Sequence, residues 1–496
     1  MASTPSPTSP QPGPQIGFFT IFPSIMLPMF LAVVDQTIVA TALPAIAGTL
    51  GSVERVSWIV IAYLVSTTIA APVYGRLGDL VGRKRLMLVA LTIFMLSSLA
   101  CALAQSVEML TAFRVLQGLG GGGLMTLSQA LVGETIAPRE RARYQGYLAA
   151  VAVSSSAFGP VAGGFLTQHF GWQSVFLVNI PVGLAAVVLT LRLPDRVPGA
   201  QPFRFDFAGL FLFATFVVST LVMLEEIRAF EADLVATILF LFALAAVALA
   251  LLVWREKRAR SPLLPIPLLS NPSIWRADAL AACHGATLVS LLTFLPIYLL
   301  VVHRVSPAET GLLLLPFTLG IGVGSLVTGR IVSITGRTAV FPSWGLVLAT
   351  ALLVFMAFTA SDLGTGALAA LLGAISIFMG TVMGVVQVTV QTAAGTSMLG
   401  AGAASVQFSR SLGAAVGTAV IGTLLFSSLT ANAPEAARLF QAVMESGPGA
   451  LDGLDQGARL SMQDALVDAF RTAFLGVACF AAIAAFLAWT IPMRRI

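Results

Sequence analysis

About fourteen apolar runs of roughly twenty residues each follow one another along this chain, near residues 18–43, 57–74, 86–104, 109–132, 144–167, 173–191, 207–224, 234–254, 277–300, 310–328, 340–359, 366–390, 404–427 and 468–490. A run of that length with few charges crosses a hydrocarbon core about 30 Å thick as an α-helix. In lipid every backbone N–H and C=O must be satisfied within the protein, which leaves helices and closed barrels as the spanning structures. Barrel strands alternate in segments of about ten residues, whereas these runs are long and continuous, so helices are predicted. Composition agrees: 57% of residues are hydrophobic, 10% are charged and the mean hydropathy is +0.93, where soluble domains carry about a quarter charged residues. The predicted fold class is an all-α polytopic membrane protein.

The cations set the expected orientation. With the N-terminus placed in the cytoplasm, 19 Lys and Arg fall inside and 5 outside, the asymmetry that orients membrane proteins. An even number of spans puts both termini in the cytoplasm, and the expected location is the cell (inner or cytoplasmic) membrane. The net charge of +5 then serves topology and anionic headgroups, and no nucleic-acid partner is expected. Residues 1–15, MASTPSPTSPQPGPQ, are Pro/Ser-rich and uncharged and read as a disordered cytoplasmic tail. No basic segment precedes the first apolar run, so no cleaved signal peptide is expected. Cys101, Cys283 and Cys479 all lie in predicted spans and are expected to be free, buried thiols.

An internal duplication organises the chain. Gly75-Arg76 and Gly82-Arg83 reappear as Gly329-Arg330 and Gly336-Arg337, a shift of 254 residues that also carries Gly159 and Gly163 onto Gly413 and Gly417. The expected architecture is therefore a six-helix half over 16–192, two linker helices with cytoplasmic flanks over 193–276, and a second six-helix half over 277–496 that includes an outside loop at 428–466. Duplicated halves around a midplane cavity are the architecture of alternating-access transporters.

Charge is concentrated in GRLGDLVGRKRL, residues 75–86. Its glycines allow a tight turn, and its cations anchor it at the inner surface. Asp79 can reach these arginines or the positive N-terminal end of a helix in the other half. Gly75, Asp79, Gly82, Arg83, Lys84 and Arg85 are thus predicted to form a cytoplasmic latch, with Ser333 replacing Asp79 in the second copy.

Ionisable groups inside a bilayer are costly and mark function by default. Asp35 is the carboxylate predicted deepest in a span, and Arg114 lies at comparable depth in the fourth. Asp35 is predicted to bind the coupling proton, with Arg114 beside it tuning its affinity. Glu134 and Asp278 are placed near cytoplasmic helix ends, Glu225 and Glu226 at an outer end, and Arg410 close enough to the cytoplasmic side to snorkel. Gly118 within GLGGGG, and Gly159, Pro160, Gly163 and Gly164, form a close-packing or hinge surface. Tyr63, Gln117, Asn179, Gln387 and Gln391 are expected to supply the few polar contacts of a mostly apolar pocket.

The energy source is argued by exclusion. A P-loop needs Gly-Lys-Ser/Thr, but the two lysines, Lys84 and Lys257, are each followed by Arg. Zinc-ligand spacings are missing, and His169, His284 and His303 fall on separate segments, so neither an enzyme nor a cofactor or metal is expected. A channel would need rings of charge or a carbonyl filter, for which no pattern is present.

Several segments resemble the major facilitator superfamily, specifically its fourteen-helix drug:proton antiporter branch. GRLGDLVGRKRL is similar to the loop signature between helices two and three, and LTAFRVLQGLGGGG (110–123) to the fourth-helix motif at Arg114, Gln117 and Gly118. SSSAFGPVAGG (154–164) resembles the antiporter motif of helix five, VDQTIVATALPAIAGTL (34–50) resembles the branch's first-helix motif, and FSRSLGAAVGTAVIGTLL (408–425) also looks typical of that branch. Leu80, Ser155 and Ala40 depart from those patterns. The resemblance implies a secondary transporter that exports hydrophobic or amphiphilic drug-like compounds in exchange for protons by alternating access. The alternative is proton-coupled uptake or export of a specific metabolite. The implied partners are a small-molecule substrate, protons and membrane lipids, in a monomer that would take a periplasmic adaptor where the cell has two membranes.

Overall fold

A computed structural model describes residues 18–51, 55–195, 205–229, 234–259, 261–434, 437 and 456–495. The predicted tail 1–15, Arg196 and Arg204 of the linker flank, and 438–455 of the predicted outside loop lie outside the described residues. The helices are α1 (Phe18–Leu50), α2 (Ser57–Val81), α3 (Arg83–Ala102), α4 (Val107–Thr135), α5 (Pro138–Phe170), α6 (Ser174–Leu177), α7 (Asn179–Leu191), α8 (Phe207–Ala229), α9 (Val235–Glu256), α10 (Ile266–Leu269), α11 (Pro272–Val301), α12 (Pro307–Thr335), α13 (Val340–Thr359), α14 (Thr365–Met379), α15 (Met383–Ala394), α16 (Leu399–Asn432) and α17 (Gln456–Thr490). No strand occurs among the described residues; a single backbone bridge joins Arg337 to Arg495.

Among the described residues, thirteen helical segments are long and apolar enough to cross a membrane, with α6–α7 and α14–α15 each counting as one. Glycine-rich α4, packed against α1, α2, α3 and α16, is a further long helix inside the bundle. Large apolar side chains such as Leu96, Phe165, Phe211 and Phe240 stand exposed on the outside of the bundle, where lipid rather than water is their solvent.

Local chemistry fixes the helix ends. Gly82 takes φ 107° and alone separates α2 from α3, a conformation that a Cβ disfavours. Its repeat partner Gly336 ends α12 in the left-handed region at φ 68°. Ser306 and Glu309 form a reciprocal capping box at the start of α12, satisfying two donors that a helix start leaves free. Pro138, Pro272 and Pro307 open α5, α11 and α12, where a missing N–H costs nothing.

The duplication is visible in the packing. A Cβ on Gly163 would lie 2.6 Å from the Ile38 carbonyl oxygen, so α5 presses on α1; one on Gly417 would lie 2.5 Å from Ala286 Cα, so α16 presses on α11 in the same way. Gly159 and Gly413 make the equivalent approaches to Thr37 and Ala282. A Cβ added to Gly164 would meet nothing within 4 Å; this glycine faces away from α1 and plays no part in the predicted packing surface. Helix α5 continues through Pro160, whose side is exposed. In α4, Gly118 and Gly122 abut α2 while Gly120 abuts α3, its added Cβ falling 2.8 Å from Phe94 N. Helix α4 is thus wedged between two neighbours at backbone contact, which only glycine allows. The cysteines are free, but of the three expected to be buried Cys101 alone is; Cys283 is half-buried, and Cys479 is exposed on the outer face of α17.

Candidate functional site

Two arrangements stand out, one inside the first half and one where the halves meet. In the first, Asp35 of α1 is fully buried. Its Oδ2 accepts from Arg114 Nη1 at 2.5 Å, and its Oδ1 accepts from Gln117 Nε2 at 2.8 Å and Asn179 Nδ2 at 2.7 Å. Gln117 Oε1 accepts a second bond from Arg114 Nη1 at 2.7 Å, and Gln117 Nε2 also donates to Ser98 Oγ at 2.7 Å. Arg114 Nε donates to the Ile59 carbonyl at 3.3 Å, and its guanidinium lies 4.1 Å from the centre of the Tyr63 ring. The Tyr63 hydroxyl donates to the Ala32 carbonyl at 3.1 Å. Arg114 and Gln117 are three apart on one helix and so share a face. Every member comes from α1, α2, α3, α4 or α7. Arg114 Nη2 has no hydrogen-bond partner among the described residues.

The structure therefore brings Asp35 and Arg114 into direct contact, and it moves two residues predicted for the pocket into their cluster. Gln117 and Asn179 are sealed against Asp35, because a carboxylate this deep needs every lone pair satisfied. Gln387 and Gln391 are also away from the cavity. Gln391 Nε2 crosses to the Gln129 carbonyl of α4 at 2.8 Å, and Gln387 is buried in α15.

The cavity itself holds about 230 Å³ between the halves, walled by α1, α2, α4, α8, α11 and α16. Tyr63 belongs to its wall, and the ring of the same residue lies against Arg114. Sequence reasoning missed two wall components. Linker helix α8 contributes Leu221, Leu224 and Glu225 and closes the seam between α2 and α16, its Phe213 ring 5.2 Å from Phe408. Arg410 also faces the cavity instead of snorkelling, since α16 starts at Leu399, earlier than the apolar run, and carries Arg410 three turns into the helix. Asp278 is likewise buried instead of water-exposed, accepting from Ser405 Oγ at 3.2 Å; α16 covers the turn on which it sits.

At the charged end of the bundle, Asp79 crosses between the halves. Its two oxygens accept from the backbone N–H groups of Gly400 at 2.9 Å and Ala401 at 3.0 Å, in the first turn of α16. A helix start offers free donors and partial positive charge. Asp79 also pairs with Arg83, which reaches Glu134 at 2.6 Å. Gly75 lets the backbones meet: a Cβ there would lie 2.5 Å from the Gly400 carbonyl oxygen. The other predicted latch cations do not cross to the second half but bind the start of the linker after α7, Lys84 on the Leu193 carbonyl at 2.6 Å and Arg85 on Asp195 at 3.3 Å. Their stems leave α3 on the side of the α7 end, away from α16.

Comparisons with known proteins converge. A family model described as the Major Facilitator Superfamily matches residues 25–418. The chain belongs to the major facilitator superfamily. This superfamily member is 32% identical over 403 residues to the multidrug transporter protein MdtP of Bacillus subtilis, covering 81% of this chain and 74% of that one. It is 34% identical over 412 residues to an uncharacterised MFS-type transporter of Mycobacterium tuberculosis, covering 82% of this chain and 60% of that protein's length. Among solved structures, the human organic anion transporter MFSD10 superposes with TM-score 0.65 at 14% identity, over 96% of this chain and 100% of that one. The fucose:proton symporter FucP of E. coli gives 0.59 at 12% identity over 94% and 97%; at such identities the likeness is one of fold. The chain is a multi-pass membrane protein.

Proposed function

We propose that this transporter exports hydrophobic or amphiphilic compounds in exchange for protons, with Asp35 as the proton-binding group. The observation that carries the reading is that one residue is common to both: Tyr63 belongs to the cavity wall, and its ring lies against Arg114. Filling the cavity presses on the group that holds the counter-charge of Asp35, and protonating Asp35 frees Arg114 to move against that ring. Occupancy and protonation thereby disfavour one another, which is the coupling an antiporter needs. The charged end is the cytoplasmic end, following the bias in Lys and Arg, so the Asp79 contact shuts the cytoplasmic gate in this conformation. Substrate loading requires that gate to open as the halves rock apart. The names of the multidrug relatives support export of drug-like compounds.

Everted vesicles with an acid interior, followed by a pH-sensitive dye, test the reading. Lipophilic cations, neutral antibiotics, biocides and organic acids are added singly to wild type, Asp35→Asn and Asp35→Glu. At least one compound should make the interior less acid in wild type, not at all in Asp35→Asn, and partly in Asp35→Glu. Undiminished proton movement in a folded Asp35→Asn protein would overturn the role of Asp35.

A further inference from the structure

The cavity holds a charge that the coupling cluster does not use. Arg410 stands three turns into α16 and lines the cavity, yet it makes no hydrogen bond or ion pair with any described residue. Its stem is held in place: Gly285 of α11 lies so close that an added Cβ would sit 3.2 Å from Arg410 Cγ. Two titratable groups neighbour it. His284 is occupied by the Met379 carbonyl, its Nε2 at 3.0 Å. Glu225, the carboxylate among the described lining residues, sits on the α8 wall and has an interaction of its own. The rest of the wall carries no charge: it is mainly aliphatic or hydroxylic, such as Leu221, Leu224, Val289 and Thr293, with the neutral amides Gln36 and Gln407. An arginine cannot shed its proton to escape a low-dielectric site, and a lone charge inside a membrane protein is costly unless paired.

We infer that the cavity selects amphiphiles bearing one acidic group, which pairs with Arg410 while the apolar body fills the aliphatic wall. This deepens the export reading and rests on it. A carboxylate, sulfonate or phosphate oxygen pair matches the guanidinium fork. A cationic amphiphile of the same shape meets like charge and is rejected. The same chemistry describes a drug-like organic acid and an anionic lipid, and the experiment separates them.

The test uses the full chain in nanodiscs of phosphatidylcholine. The probes are a dansyl alkyl carboxylate, its primary amide and its trimethylammonium analogue, and binding is read by fluorescence. Wild type should bind the acid about tenfold or more tighter than the amide, the scale of a charge-assisted pair. In Arg410→Gln the acid-to-amide ratio should fall to about one, and Arg410→Lys should keep part of it. A loss of acid binding on adding phosphatidylglycerol, in wild type but not in Arg410→Gln, identifies the lipid as the acidic occupant. An unchanged ratio in Arg410→Gln, or tightest binding of the ammonium probe, overturns the inference. Proton counterflow driven by the amide or ammonium probe without dependence on Arg410 leaves export standing and removes this inference alone. Arg410-dependent acid binding with no proton movement keeps the site and removes the exchange reading.

Discussion

Replacing Asp79 by Asn should unlatch the charged end, and the geometry sets the size of the effect. The carboxylate accepts two backbone N–H groups at 2.9 and 3.0 Å from the start of α16 and pairs with Arg83. Hydrogen bonds to a charged group contribute about 1.5–3 kcal/mol each. An asparagine oxygen keeps one of the two, so about 2 kcal/mol is lost there. Losing the charge at the helix start removes about 1 kcal/mol more. Arg83 retains Glu134 at 2.6 Å, so it adds little. The closed-to-open ratio should therefore drop by about 3 kcal/mol, roughly a hundredfold. Spin labels at Val81 and Ser397, both exposed on either side of the contact, would read it by pulsed electron-spin distance measurement in a background lacking the three cysteines. Wild type should give one short distance, and Asp79→Asn a substantial longer population. Identical distributions would refute the latch, leaving the contact as packing alone.

Other consequences can be checked more simply. Gly120→Ala places a methyl 2.8 Å from Phe94 N and 2.9 Å from the Ala90 oxygen, so it should lower stability by about 1–3 kcal/mol, read as a fall in Tm in detergent. Gly164→Ala meets nothing and should leave Tm unchanged or raise it, by up to about 1 kcal/mol in helix propensity. Arg114→Lys cannot hold Asp35, Gln117, the Ile59 carbonyl and the Tyr63 face at once. Breaking a buried pair costs about 3–5 kcal/mol, so both Tm and dye-reported proton exchange should fall sharply.

Much of the architecture is legible in the sequence because a bilayer imposes simple demands. Length and apolarity locate the spans, and the glycines shifted by 254 residues correspond to real repeats of close packing, α5 on α1 and α16 on α11. Asp35 and Arg114 can be matched by depth alone. Rotation cannot be read. A helix apolar all round carries no stripe to say which face looks inward, so sequence reasoning assigns Gln117 and Asn179 to the pocket although they face Asp35. Helix ends are hidden for a related reason. Residues 399–403 of α16 are small and only mildly apolar, and a span started after them puts Arg410 near the surface instead of in the cavity. The wall supplied by α8 has no counterpart in either repeat, so the duplication gives no clue to it.

In electrical terms the Asp35–Arg114 pair is a neutral object whenever the carboxylate is ionised. A proton on Asp35 turns the same cluster into a net cation, with its donors Gln117, Asn179 and Ser98 carried along in the same half. The membrane field acts on that charge by about 2.3 kcal/mol per 100 mV for a full crossing. In the proposed exchange, the protonated stroke therefore carries one more positive charge than the unprotonated stroke, and the resting potential pulls that charge inward. On that proposal, one ion pair makes the two directions of travel differ in their response to voltage.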